Sequence, residues 1–366
     1  MSKARKRLLL ALGAVALAVM LAEVGLRLFL PLSIQRERYQ RTRNVYQYDE
    51  GNVQFDAGLG FFNTPNRTTT FSNAEFSTTV TTNSAGFRDD EASLQQPDIL
   101  LLGDSLAFGW GVEKPETAEA QLEKLLRVRV LNLGVAGYGT IQEAILFGRW
   151  LALHPEDKQT RLAIFLFYRN DLNENVQPYF ALYPNLFVSA NQVVTSGAAA
   201  VDFQAWLAAC RAEMTRGPAR YSYVADYALG AWRKLAGAAP VPSITPVMDG
   251  FTRVEDPVPA FQLITSNIKS VAEQHGVRVL FAYIPSLTAL EQHDDDRVET
   301  FVRETCVAQG FAYTDLHSVL TTEDYYRLDD HLRPGGQEKV ARQLQKVIED
   351  KDLLAPRQSA PRSTVP

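Results

Sequence analysis

The chain has 366 residues, 46% of them hydrophobic, 22% charged and 10% aromatic, with a net charge of −5. That composition can build a packed core and excludes a mainly disordered chain. The acidic balance and the lack of a basic block beyond the amino terminus disfavour a nucleic-acid partner. A single long apolar run with no short-period repeat excludes collagen-like, coiled-coil and multi-span membrane classes.

That run is the first element. Lys3, Arg5, Lys6 and Arg7 precede Leu8–Ala22, fifteen residues without a charge. The run continues through Glu23 and Arg27, which are four apart and can pair on one helix face, to Leu32, a length that can cross a bilayer. The triplets Ala14-Val15-Ala16 and Ala16-Leu17-Ala18 lie inside the run rather than after it. Residues 1–32 therefore read as an uncleaved transmembrane anchor, with a cleaved signal peptide as the alternative. The basic flank puts the amino terminus inside and the bulk of the chain outside, although Arg36, Arg38, Arg41 and Arg43 compete on the far side.

Residues 33–96 read as a linker rich in Arg, Gln and Tyr followed by a small β-rich region, with short strands in Thr68–Thr82. From Pro97 buried-strand patterns alternate with helix faces. The strands are Asp98–Leu102, Val128–Leu131, Leu162–Phe167, Val277–Tyr283 and Phe311–Leu316. Helix faces are marked by Leu122, Leu125 and Leu126; by Ile141, Ala144, Ile145 and Gly148; by Phe261, Ile264, Ile268 and Val271; by Val298, Phe301 and Val302; and by Val340, Leu344, Val347 and Ile348. The rhythm breaks over about 172–250, an insertion within a domain spanning 97–350, and 351–366 reads as a disordered tail. Alternation of this kind predicts an α/β fold, a parallel sheet with helices on both faces, whose ligand site lies in the loops leaving the carboxyl ends of the strands. Cys210 and Cys306 each sit at helical spacing from apolar neighbours and read as buried core residues; no Cys/His set has zinc spacing, so neither a metal nor a cofactor is expected.

Four loops carry chemistry. The first strand runs into Gly103-Asp104-Ser105-Leu106, where a serine in a strand-to-helix turn can present its hydroxyl beside helix-start N–H groups, although Asp and Ser are also ordinary caps. The second strand exits into Asn132–Thr140, with glycines at 134, 137 and 139. Their G-x-x-G-x-G spacing is not that of a dinucleotide loop. The third exits into Tyr168-Arg169-Asn170-Asp171, whose amide can donate to an oxyanion. Ser105, Gly137 and Asn170 are 32 and 33 residues apart, about one βαβ unit each, which sets them on one edge of the sheet. Before the closing helix comes Asp329-Asp330-His331. Of five histidines, His154, His275, His293 and His317 read as surface or element-end residues. In an extended segment Asp329 and His331 share a face and Asp330 points away.

These four pieces, in this order, resemble the SGNH/GDSL hydrolase family, over Ile99 to about Gln345. Gly111-Val112, Gly86-Phe87-Arg88 and the amino-terminal anchor are similar to its membrane-attached bacterial branch. The resemblance implies a three-layer α/β/α, flavodoxin-like domain and a Ser–His–Asp hydrolase. Ser105 would be the nucleophile, His331 the general base and Asp329 the orienting acid. The oxyanion hole would be formed by the N–H groups of Ser105 and Gly137 and the side chain of Asn170. The commonest family pattern is D-x-x-H, but Leu328 stands three before His331; the D-x-H given by Asp329 resembles alginate O-acetyltransferase-like members. Arg333 stands where the family often has Asn.

The expected function is thus a serine esterase or O-acyltransferase acting on small O-acyl groups, O-acetyl on a glycan, with its domain periplasmic and its anchor in the inner membrane. The 172–250 insertion is expected to shape the acceptor site. Two other classes compete: a noncatalytic glycan-binding or assembly protein that keeps the fold, and a flavodoxin-like nucleotide binder, which lacks a phosphate loop.

Overall fold

The computed structural model describes residues 2–155, 159–176, 221–236, 256–292 and 297–355, together with short strands within 179–195 and residues 203, 207, 208 and 211. Cys210, His293, most of the 172–250 insertion and the tail beyond 355 lie outside the described residues.

Two helices begin the chain, α1 (Lys3–Phe29) and α2 (Leu32–Thr42), separated at Leu30-Pro31, where proline at the junction cannot donate the backbone bond that would continue the first helix. Helix α1 is long and apolar enough to cross a membrane and none of that stretch is buried in the protein. The stretch expected to be a linker is instead α2, with Gln35, Arg38 and Tyr39 buried. Two antiparallel hairpins follow: β1 (Val53–Asp56) with β2 (Gly60–Asn63), and β3 (Thr68–Ser72) with β4 (Ser77–Thr81).

The sheet consists of β5 (Ile99–Gly103), β6 (Val130–Asn132) and β7 (Leu162–Tyr168). After four short strands in the insertion, β8 to β11 (Tyr179–Phe180, Tyr183–Pro184, Leu186–Ser189 and Gln192–Thr195), it is completed by β12 (Arg278–Ile284) and β13 (Ala312–Asp315). All pairings in this sheet are parallel and the spatial order is β6-β5-β7-β12-β13. Counting only the sheet strands, this is the 2-1-3-4-5 order of flavodoxin-like folds.

Side chains alternate between two buried layers because successive residues of a strand point to opposite faces. Leu100, Leu102, Phe165, Phe167 and Phe281 meet α5 (Thr140–Leu153), α8 (Pro257–His275) and α10 (Arg297–Ala308) through Phe147, Phe261, Ile264 and Val302. Ile99, Leu101, Ile164, Leu166 and Leu280 meet α4 (Ala118–Leu126) and α11 (Pro334–Asp350) through Leu122, Val340 and Leu344. Three layers, α/β/α, result. The first layer also takes in Tyr46, Phe61, Phe71 and Val80, so both hairpins share the core of the sheet. Cys306 is a free, buried residue in that core.

Candidate active site

The chain order reverses between β5 and β7, and in such sheets ligands bind beyond the carboxyl ends of the strands at that point. Ser105 starts the four-residue helix α3 (Ser105–Phe108) directly after β5, Gly137 lies in the loop after β6, and Asn170 lies in α6 (Arg169–Glu174) after β7. Asp104 caps α3 by accepting the Leu106 N–H at 2.8 Å. Gly134 is required because α3 passes so close: a Cβ there would lie 2.5 Å from the Phe108 nitrogen. Gly137 adopts φ +83°, the left-handed region that suits glycine.

His331 comes from the segment between edge strand β13 and α11. Its Nε2 lies 2.6 Å from Ser105 Oγ, and its Nδ1 is hydrogen-bonded to Asp329 Oδ1. A carboxylate can only accept, so Nδ1 carries the proton and donates to Asp329, which leaves Nε2 to accept from the Ser105 hydroxyl. The ring is buried and stacks on Trp110, with centroids 4.9 Å apart and planes 19° apart. The arrangement can therefore take a proton from Ser105 Oγ and return one to a leaving group.

Asp329 is fully buried, yet four side chains reach its carboxylate. Besides His331, Arg43 Nη1 donates at 3.0 Å, Tyr39 Oη at 2.7 Å and Trp110 Nε1 at 3.3 Å. Burial alone would raise its pKa. The charges of His331 and Arg43, with hydrogen bonds from His331 and Tyr39, outweigh burial and hold the carboxyl well below the usual carboxylate range. Asp330 is 43% exposed; its Oδ1 lies 3.5 Å from His331 Nδ1 and 3.9 Å from Arg43 Nη1.

The loop is not the extended segment expected from sequence. An antiparallel bridge between Tyr325 and Leu332 closes it, and residues 327–331 bend inside that closure. Glu75, in the turn between β3 and β4, accepts the backbone N–H groups of Arg327, Leu328 and Asp329 at 2.9, 2.7 and 3.0 Å. One carboxylate thereby gathers three successive amides, and the bend presents Asp329 inward. The Gly86-Phe87-Arg88 motif acts nearby: buried Arg88 donates to the carbonyls of Phe108, Gly109 and Val112, fixing the segment that follows Ser105.

Among the described residues the backbone N–H groups of Ser105 and Gly137 have no partner, as donors held for a ligand would. The Asn170 amide is committed on two sides: Nδ2 donates to Glu174 at 3.0 Å, and the side chain also hydrogen-bonds Asp104. Behind it lie four buried acids: Asp104, Glu143, Asp171 and Glu174. None of the four forms an ion pair among the described residues, and both oxygens of Glu143, Oδ1 of Asp171 and Oε2 of Glu174 have no partner. Burial, reinforced by the charges of Asp104 and Glu174, pushes Glu143 far up, and Asp171 follows for the same reasons. Burial pushes Glu174 up to about 8, despite the hydrogen bond from Asn170.

Asp329, Asp330 and His331 offer ligand atoms within 4.8 Å of one another. A cation there would compete with the Arg43 guanidinium, and the donors from Tyr39 and Trp110 already fill Asp329 Oδ2, so the set fits an ion-pair network better than a metal centre. Sequence reasoning missed Tyr39, Arg43, Trp110 and Glu75. Only Trp110 carried a signal, lying between Gly109 and the quoted Gly111-Val112. Of the other histidines, the three described ones sit at element ends: His154 caps α5 and stacks on Trp150, His275 ends α8, and His317, just past β13, pairs with Asp315 at 2.6 Å; His293 lies outside the described residues.

No family model and no curated protein matches the chain. Among solved structures it is similar to TesA (15% identity, TM-score 0.39, 69% of this chain and 98% of that one). It is also similar to an inhibitor-bound aryl esterase of M. smegmatis (12% identity, TM-score 0.37, 69% and 98%). A third is an acetyl xylan esterase from the rumen bacterium Butyrivibrio proteoclasticus (12% identity, TM-score 0.37, 70% and 64%). At these scores the chemistry has to be read from the site itself.

Proposed function

We propose that the chain is an ester hydrolase of the SGNH type, or an acyl-transferring relative of one. In this reading Ser105 is the nucleophile, His331 the general base and Asp329 the acid that orients it. The observation that carries it is the unbroken hydrogen-bonded line from Ser105 Oγ through both ring nitrogens of His331 to the buried Asp329 carboxylate. Ser105 gives its proton to His331 Nε2 as Oγ attacks the acyl carbon. The oxyanion takes hydrogen bonds from the N–H groups of Ser105 and Gly137, each worth on the order of 3 kcal/mol, and from the Asn170 amide once it turns from Asp104 toward the oxyanion. His331 then returns the proton to the departing alcohol, leaving an acyl-serine. Water or a second hydroxyl, deprotonated by the same nitrogen, releases the acyl group.

The four motif blocks and the D-x-H spacing support O-acyl esters as substrates, O-acetyl groups on a glycan in particular. The apolar α1 and its basic flank support anchoring in the inner membrane with the domain on the extracytoplasmic side. The four far-flank arginines that competed with this topology have partners within the chain: Arg36 pairs with Glu291, Arg38 and Arg41 with Asp226, and Arg43 with Asp329.

The test is turnover of an aryl acetate by the wild type and by Ser105→Ala, with circular dichroism as the control for folding. Loss of turnover with an unchanged spectrum is expected, and wild-type turnover in the variant would refute the assignment. Adding candidate oligosaccharides and weighing the products separates hydrolysis from transfer.

A further inference from the structure

The two charges in the apolar α1 have work beyond pairing with each other. Glu23 and Arg27 form the expected ion pair at 2.7 Å, and both also hold the start of helix α7 (Tyr223–Leu235) from the insertion. Glu23 accepts from Ser222 Oγ at 2.9 Å and from the Val224 N–H at 3.0 Å, while Arg27 donates to the Tyr221 carbonyl at 2.7 Å. On the other side Asp226 meets Arg38 at 3.4 Å and Arg41 at 3.6 Å, and the Arg38 guanidinium lies over the Tyr223 ring at 4.0 Å. The first turn of α7 is thereby clamped between α1 and α2, at the end of the apolar run.

Past that turn the helix is left bare. Tyr227, Trp232 and Leu235 are 48%, 63% and 89% exposed, and Ala228 and Ala231 are exposed beside them. At 100° per residue these five fall on one arc of about 140°, with Asp226 and Arg233 on the opposite side. Elsewhere outside α1, exposed large apolar residues among the described ones occur singly, as at Phe55, Leu153 and Val307. A contiguous bare face marks a contact surface. Its composition, with Trp and Tyr on the apolar side and Arg233 and Lys234 in the last turn, suits the boundary between lipid headgroups and acyl chains. Its fastening to the foot of α1 holds it at the level of that boundary.

We propose that α7 is a second membrane contact, its apolar face resting in the interfacial layer of the bilayer that α1 enters. This rests on the reading of α1 as an anchor. Since α2 carries Tyr39 and ends at Arg43, the same contact would steady the helix that holds Asp329.

The test uses the full chain reconstituted into phosphatidylcholine–phosphatidylglycerol vesicles, with and without brominated lipid, reading tryptophan fluorescence in the wild type and in Trp232→Phe. Of the other three tryptophans, Trp110 and Trp150 are buried and Trp206 lies outside the described residues, and the difference between the two proteins isolates Trp232. The bromolipid-quenched amplitude is expected to be lower in the variant than in the wild type by the share that Trp232 contributes. An equal amplitude in both, with both proteins floating with the vesicles, would overturn the contact and leave the anchor standing. Failure of the wild type to float, or its release at alkaline pH, would overturn the anchor and the contact with it.

Discussion

Two sets of carboxyl groups lie beside Ser105 at nearly equal depth, and their surroundings push them toward opposite protonation states. Asp329 is fully buried yet held toward the ionised form, because Arg43, Tyr39, Trp110 and His331 supply the donors that water would have given. Glu143, Asp171 and Glu174 are as deeply buried, have no cation among the described residues, and are pushed toward the neutral acid. Depth alone therefore does not decide the charge of a buried acid; the donors arranged around it do.

Removing charge from the ionised side carries the largest expected cost. Asp329→Asn leaves the volume unchanged but spoils the acceptor for His331 Nδ1–H, and kcat is expected to fall on the order of 10³- to 10⁴-fold. Steady-state kinetics with an aryl acetate read this directly. Arg43→Gln keeps Asp329 and removes its cation. A loss of roughly 10- to 100-fold is expected, the kinetic equivalent of a charged hydrogen bond worth about 1.5–3 kcal/mol. An Arg43→Gln enzyme as fast as wild type would mean that Tyr39 and Trp110 suffice.

The neutral side predicts the reverse. Glu174 is raised from its ordinary 4.5 to about 8, so between those values the folded chain keeps a proton that the unfolded chain has lost. Stability must then fall as pH rises through that window. Glu174→Gln removes the penalty and keeps an acceptor for Asn170. Its melting temperature is expected to rise at pH 8, by roughly 2–4 °C for each kcal/mol recovered, and to change least near pH 5. Turnover should stay within about tenfold. The smallest effect is assigned to Asp330→Asn, within about tenfold of wild type or about 1.4 kcal/mol, because its carboxylate is 43% exposed and water replaces what is lost. Equal losses at 329 and 330 would erase the distinction between them.

Much of the frame could be read in advance because buried parallel strands are apolar on both faces. Ile99–Gly103 is shifted by one residue at both ends, Leu162–Tyr168 runs one residue longer, and Val130–Asn132 starts two residues late and ends one late. Ser105, Asn170 and His331 were legible because each follows or precedes an element whose pattern is plain. Tyr39 and Arg43 were not, since they reach Asp329 across more than 280 residues from a segment whose polar texture resembles a linker. Nothing local in the sequence marks Glu143 or Glu174 as buried either, because acids on helices ordinarily face water. The bent loop at 327–331 escaped for a similar reason: it depends on Glu75, which gathers its amides from a distant hairpin.

The central claim is that Ser105 is activated by His331, and covalent labelling tests it most directly. The full chain is treated with a fluorophosphonate, digested, and the adduct located by mass spectrometry in the wild type and in His331→Ala. A single adduct on the peptide containing Ser105, lost or slowed by orders of magnitude in the variant, is the result predicted here. An adduct on another residue, or equal labelling of Ser105 without His331, would contradict it.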